Sequence, residues 1–428
     1  MKKYTITNVH ARLVFNCLYT PAIETVVEVD NTYTGSAINP QGQSTGLSEA
    51  REVLDGGRRF GGLGCDQAIV NVNTEIRNAL LGMDVTDQAE IDRRLIALDG
   101  TPDKSRLGAN AIVSVSAAVA RAAANAVGLP LYRFLNNNAH ILPVPMLSTM
   151  DGGHYGLGAA SEIQEFNLFP IGAGSVREAV EICREVHFTL GNILEKEYGP
   201  MARLASNAGG YSVPCRSCAR TFDYIVSAID ACGYSEKIKL GMDCASSHWY
   251  DKEAGLYQFE GEQRTTQEMM KYWKKLVRDY PIISMEDPFD EDDIEGFRMA
   301  TAELEGVQIV GDDFFTTNPG RLRERIPMNA GNALLWKYNQ IGTITEAFYA
   351  AEIAKSNGYG IQASERSGES EDSILSDFTV ALNCGQVKTG TLIRTERVSK
   401  YNRFLQIEEE LGKEAVYAGS FFRKPFMK

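Results

Sequence analysis

Lys239-Leu240-Gly241-Met242-Asp243, Ile282-Ile283-Ser284-Met285-Glu286 and Val307-Gln308-Ile309-Val310-Gly311-Asp312 share one plan, a short apolar run that stops on a carboxylate. Ala333-Leu334-Leu335-Trp336-Lys337 and Gly358-Tyr359-Gly360-Ile361-Gln362-Ala363-Ser364-Glu365 repeat it with other polar ends, and Lys388 closes the series. Each run is followed by a turn and a helix-length amphipathic segment, the pattern of consecutive βα units. The polar ends recur at intervals of 43, 26, 25, 28 and 23 residues. One βα unit takes about 30 residues, so the series predicts a barrel walked strand by strand, with an insertion in the long first interval. The C-terminal ends of such strands converge on one face, so Asp243, Glu286, Asp312, Lys337 and Lys388 are expected to share one site.

Working outward, the chain ahead of this series has a different texture. Tyr4 to Val14 and Thr25 to Asp30 read as strands, and the Ala-rich stretch Asn110 to Val127 as a helix, alanine being the best helix former. An Asn cluster at 136–138 marks a loop. The expected fold is therefore α/β: an α+β N-terminal capping domain over residues 1–136, and a (β/α)8 barrel over residues 137–428 that carries the site.

The 428 residues, 44% hydrophobic and 23% charged, are those of an ordinary globular protein. A net charge of −13 argues against nucleic acid or an anionic membrane as the main partner, since both want a positive field. No apolar run approaches the roughly 18 to 20 residues of a membrane span, and the N-terminus lacks a signal-peptide core, so a cytoplasmic protein is expected. Eight scattered cysteines imply reduced thiols; the lone Cys215-x-x-Cys218 has no second pair to complete a zinc site.

Three carboxylates on successive strand ends suit a hard cation, because Mg2+ prefers oxygen ligands and leaves room for water and substrate oxygens. A lysine beside such a cation can have its pKa lowered and act as a base toward a C–H next to a metal-bound carboxylate.

The chain also resembles the enolase family along nearly its whole length. The resemblance rests on Leu98-Asp99-Gly100-Thr101-Pro102, Lys104-Ser105-Arg106-Leu107-Gly108-Ala109-Asn110, Gly128-Leu129-Pro130, Ile163-Gln164-Glu165-Phe166, Glu286-Asp287-Pro288, Gly311-Asp312-Asp313, Asn339-Gln340-Ile341-Gly342-Thr343, Arg366-Ser367-Gly368-Glu369, Lys388-Thr389-Gly390 and Lys400-Tyr401-Asn402. It implies that Asp243, Glu286 and Asp312 hold a tightly bound Mg2+ and that Lys337 is the base at C2 of a phosphoglycerate-like acid. Lys388 would grip the carboxylate, and Arg366 and Ser367 the phosphate. Gln164 and Glu165 would line the distal side, and Ser44 would sit on the loop that helps bind a second Mg2+ arriving with substrate. The resemblance also implies a homo-oligomer.

Four segments depart from the family pattern. The loop that carries the family's general acid, Gly-Asp-Glu-Gly-Gly, reads Ser206-Asn207-Ala208-Gly209-Gly210, so Ala208 stands where the glutamic acid should be. Losing a general acid typically costs about 10²- to 10⁴-fold. Glu365 replaces the histidine of Ser-His-Arg-Ser-Gly-Glu; His154 falls one place early in Asp151-Gly152-Gly153-His154-Tyr155; and Tyr19 to Thr25 replaces the family's Ser-Arg-Gly-Asn-Pro-Thr. These changes cluster at the leaving-group end and the lid. They lead to the expectation of a Mg2+-dependent enzyme that resembles carboxyphosphonoenolpyruvate synthase of phosphonate biosynthesis, joining 2-phosphoglycerate or phosphoenolpyruvate to a nucleotide-activated phosphonoformate. Two alternatives stay open: a divergent enolase whose acid is Glu365, working from the opposite wall, and a non-catalytic binding protein of the same fold. The expected catalytic residues are Lys337, Glu165 and Glu365, with Lys388, Arg366, Ser367, Gln164 and His154 binding substrate.

Overall fold

The computed structural model describes residues 3–43, 45–156 and 160–425. The N-terminal part opens with an antiparallel meander of β1 (Ile6–Phe15), β2 (Pro21–Val29) and β3 (Tyr33–Ile38). Its inner face, including Val9, Ile23, Val27 and Val29, packs on the Ala-rich helix Ala109–Val127. Contact is close because Gly35 carries no side chain: a Cβ there would lie 2.2 Å from the Ala122 nitrogen. That helix is long and apolar enough to cross a bilayer, but 83% of its apolar window is buried inside the protein. It is a core helix, stopped by Gly128 in the left-handed conformation.

Eight strands close the barrel: β4 (Val144–Asp151), β5 (Glu165–Phe169), β6 (Lys239–Asp243), β7 (Ile282–Glu286), β8 (Gln308–Gly311), β9 (Ala333–Trp336), β10 (Gly360–Ser364) and β11 (Gln386–Lys388). The α/β barrel read from the strand pattern is therefore present. Asp243, Glu286 and Lys388 end their strands, whereas Asp312, Lys337 and Glu365 each follow the last strand residue. The long first interval carries the expected insertion, a small antiparallel sheet of Tyr250–Asp251, Leu256–Phe259 and Glu262–Arg264.

One strand runs against the others. β5 is antiparallel to both β4 and β6, while the remaining neighbours around the ring are parallel. A reversed strand begins at the rim where its neighbours end, so Glu165, the first residue of β5, reaches the same face as Asp243, the last of β6. The register pairs Asp151 with Glu165, Glu165 with Asp243, and Asp243 with Glu286. Four carboxylates thus stand side by side on adjacent strands.

Candidate active site

The cavity at this rim is lined by Tyr155, Gln164, Glu165, Ala208, Asp243, Asp312, Asp313, Lys337, Glu365, Arg366, Ser367 and Lys388. Glu286 lies buried beside them. The sequence-derived residues are thus brought together with two exceptions. Ser44 lies outside the described residues, and His154 is exposed, set edge-on to His248 with ring centroids 4.0 Å apart. Tyr155 faces the cavity in its place, half-buried near Glu165 and Lys388, and desolvation pushes its phenol well up.

Buried carboxylates at neighbouring strand positions repel by roughly 3 kcal/mol per pair at 5 Å and an effective dielectric near 20. The structure offsets this with ammonium groups. Lys388 Nζ lies 2.6 Å from Asp243 Oδ2, 2.9 Å from both oxygens of Glu286 and 3.3 Å from Glu165. Burial works against its charge, but these carboxylates outweigh burial and keep it protonated. Burial and Asp243 together push Glu286 well up, which marks a place short of positive charge. Gln164 donates to Asp243 Oδ2 at 3.0 Å, and its own Oε1 is buried without a partner. Acidic oxygens of Asp243 and Glu286 converging around a cationic nitrogen, with a further unpaired oxygen nearby, suit a divalent cation, and Asp312, which clusters with Asp287 and Asp313, lines the same cavity.

Lys337 Nζ donates to Asp312 Oδ2 at 2.5 Å, and Gln340 donates to the other oxygen at 2.8 Å. Burial pushes Asp312 up, but Lys337 reverses this and holds it below the usual carboxylate range. Burial alone would lower Lys337; Asp312 raises it instead. The base candidate is thus an ammonium whenever Asp312 has no other cation to serve. Arg366 spends its fork on Glu49, with nitrogen–oxygen distances of 2.8 and 3.2 Å, while Ser367 Oγ accepts from the Gln43 backbone at 2.7 Å.

The altered loop is hung from Asp151, which accepts hydrogen bonds from Ser206 Oγ and from the Gly210 backbone. Burial and the neighbouring Glu165 push Asp151 up to about 7. Glu365 stands beside this loop. A Cβ on Gly390 would lie 2.7 Å from the Ala208 carbonyl oxygen and 2.9 Å from Glu365 Oε1, so only a glycine lets the two approach. Glu365 and Ala208 line the same cavity.

Burial pushes Glu365 up to about 8, against the pull of Arg397. Arg397 Nη1 lies 2.5 Å from Glu365 Oε2, which by distance alone would signal an ion pair. Yet the guanidinium N–H groups point at the carbonyls of Arg366, Ser367 and Asn207, and Oε2 receives no hydrogen bond. A carboxylate so poorly solvated is disfavoured, and burial outweighs the guanidinium in raising the group. Cys215 and Cys218 are buried free thiols, as are or partly are the other six.

The Enolase N-terminal domain model matches residues 6–135, and the Enolase C-terminal TIM barrel domain model matches residues 139–426. Proteins named Enolase from Methanocaldococcus jannaschii and Thermococcus kodakarensis are each 46% identical, over 426 and 429 residues. The alignments cover 99% of this chain and 100% and 99% of those relatives. Enolase of Corynebacterium kroppenstedtii is 44% identical over 418 residues, 97% of either chain. These end-to-end relatives overturn the expectation of a carboxyphosphonoenolpyruvate synthase-like condensation with nucleotide-activated phosphonoformate.

Proposed function

The chain belongs to the enolase family of Mg2+-dependent enzymes acting on a small phosphorylated acid, and from that premise we propose that it dehydrates 2-phosphoglycerate to phosphoenolpyruvate with Glu365 as general acid. The observation that supports this reading is the Glu365 carboxyl in the cavity it shares with Ala208 and Lys337, its Oε2 without a hydrogen bond and its pKa pushed to about 8. A protonated carboxyl facing the cavity at neutral pH is what a departing hydroxide requires.

Lys337 takes the proton from C2. Its burial favours the neutral amine once the Asp312 charge is engaged elsewhere. Asp243, Glu286 and Asp312 would hold the cation, which would supply positive charge beside the substrate carboxylate. Lys388 is placed to turn from its carboxylate partners to the substrate carboxylate, and Arg366 with Ser367 to take the phosphate, displacing Glu49. When the C3–O bond breaks, the Glu365 proton passes to the leaving oxygen and water departs. Glu165 and Gln164 close the distal side, with Tyr155 above them; His154 sits at the mouth, next to His248. Eight free thiols suit a reducing, cytoplasmic setting, and a homo-oligomer accords with the family.

The test is direct. Purified protein with Mg2+ and 2-phosphoglycerate should produce the ultraviolet absorbance of an enolpyruvate, with the matching phosphorus resonance. If 2-phosphoglycerate binds and no enolpyruvate forms at any pH, the proposal fails.

A further inference from the structure

Inside the barrel, one layer below the carboxylates, lies a cluster of amides. Gln308, Gln362 and Gln386 are fully buried. Gln308 and Gln386 exchange hydrogen bonds, each Nε2 donating to the other's Oε1 at 2.9 Å, and Gln308 Nε2 also reaches Ser284 Oγ at 3.2 Å. Gln362 hangs from this pair by a long contact, 3.5 Å from Gln308 Nε2 to its Oε1. Its own Nε2 points up the barrel and donates to Glu286 Oε2 at 3.2 Å. The interior of such a barrel is ordinarily filled by branched apolar side chains, and burying an amide without full compensation costs free energy. A buried glutamine that spends its amide on a carboxylate therefore calls for an explanation.

We propose that Gln362 is the positioning residue of the cation site, holding the Glu286 carboxylate in the orientation that a divalent ion uses. Among the described residues, the donors to the Glu286 carboxylate are Lys388 and Gln362 alone. The two differ in kind. Lys388 is a cation in the place where the metal ligands converge, so it competes with any divalent ion. Gln362 is neutral: it leaves the full carboxylate charge available and restrains Oε2 from below. The amide orientation is fixed by chemistry, because turning the ring of contacts over would set its oxygen against a carboxylate oxygen. Ligand carboxylates are commonly steadied by such outer partners, and losing one typically costs about 10- to 100-fold in metal affinity. The inference concerns the ligand set and rests on the proposed reaction only in taking that set as the cation site.

The experiment measures Mn2+ binding to the full chain without substrate, by electron paramagnetic resonance of free ion and by calorimetry. Gln362→Met keeps the volume and loses the donor; Gln362→Asn keeps an amide that is one methylene too short to reach Glu286. Both should raise the Mn2+ dissociation constant about 10- to 100-fold, with the concentration of Mg2+ needed for half-maximal rate rising in step and the rate at saturating Mg2+ little changed. Should the methionine variant fail to fold, the asparagine variant makes the same test, since it preserves a polar group among the other glutamines. A lower melting temperature with unchanged Mn2+ affinity in a folded variant would mean that Gln362 is packing only, and would overturn the inference. So would a wild-type chain that binds no Mn2+. Weakened Mn2+ binding in a chain that leaves 2-phosphoglycerate untouched would support the inference while removing the proposed reaction.

Discussion

Replacing Glu365 by glutamine tests the assignment of the acid most sharply. The side chain keeps its shape, its place against Gly390 and Ala208, and its contact with Arg397, and loses only the transferable proton. Removal of a general acid costs about 10²- to 10⁴-fold, or roughly 3 to 5 kcal/mol of barrier, and it should fall on kcat with KM little moved. A second signature follows from the pKa of about 8. The acid works when protonated, so the wild-type kcat should fall about tenfold per pH unit above pH 8, a limb the Gln variant lacks. Stability carries the same sign. A carboxyl raised on folding from 4.5 to about 8 contributes fully below pH 4.5, and that contribution is lost as pH rises through 8. The span corresponds to at most about 5 kcal/mol. Between those limits the wild type should lose stability relative to Glu365→Gln as pH rises. Initial rates of enolpyruvate absorbance and denaturant melts across that range read both. A variant with kcat within about threefold of wild type and the same alkaline limb would refute the reasoning.

Lys337→Met should abolish proton exchange at C2 of 2-phosphoglycerate in deuterated water, a loss of at least about 10³-fold, while Mn2+ still binds the carboxylates; retained exchange would remove Lys337 from its role. Ala208→Glu places a second carboxyl against Glu365, and like charges should move the alkaline limb of the rate profile to higher pH, read from the same initial rates. Saturating Mg2+ at 100 times its dissociation constant should stabilise the fold by about 2.7 kcal/mol, seen as a higher melting temperature that chelator reverses. Gly35→Ala drives a methyl group into the helix backbone at Ala122, and calorimetry should record a loss of about 1 to 3 kcal/mol or more.

The barrel and most of its rim were legible in the sequence because the code is local. An apolar run ending on Asp243, Glu286 or Asp312 marks both the strand and the end of it that faces the site. Strand direction was less accessible, because an antiparallel strand and a parallel one bury the same residues; nothing in Glu165-Phe166-Asn167-Leu168-Phe169 tells that it runs backwards. Tyr155 was obscured by His154, whose chemistry draws attention while its side chain lies at the mouth. Gln362 sits in a run that reads as ordinary barrel interior, and only the three-dimensional arrangement puts its amide under Glu286. The substitution at Ala208 is legible in the linear motif, whereas the side chains that share its cavity are not. Gly390, 182 positions beyond Ala208, leaves room for both the Ala208 carbonyl and the Glu365 carboxyl.

The inverted β5 has a consequence for how such a scaffold can be altered. With one stave upside down, the chain leaves the rim at Asp151 and returns to it at Glu165 on the adjacent stave, without a crossing beneath the barrel. The two strands run antiparallel between Asp151 and Glu165, and the length of the segment joining them can be changed while shear and closure of the ring stay as they are. Exchanging that span between relatives would change Tyr155 and Gln164 in the cavity lining and leave the staves standing.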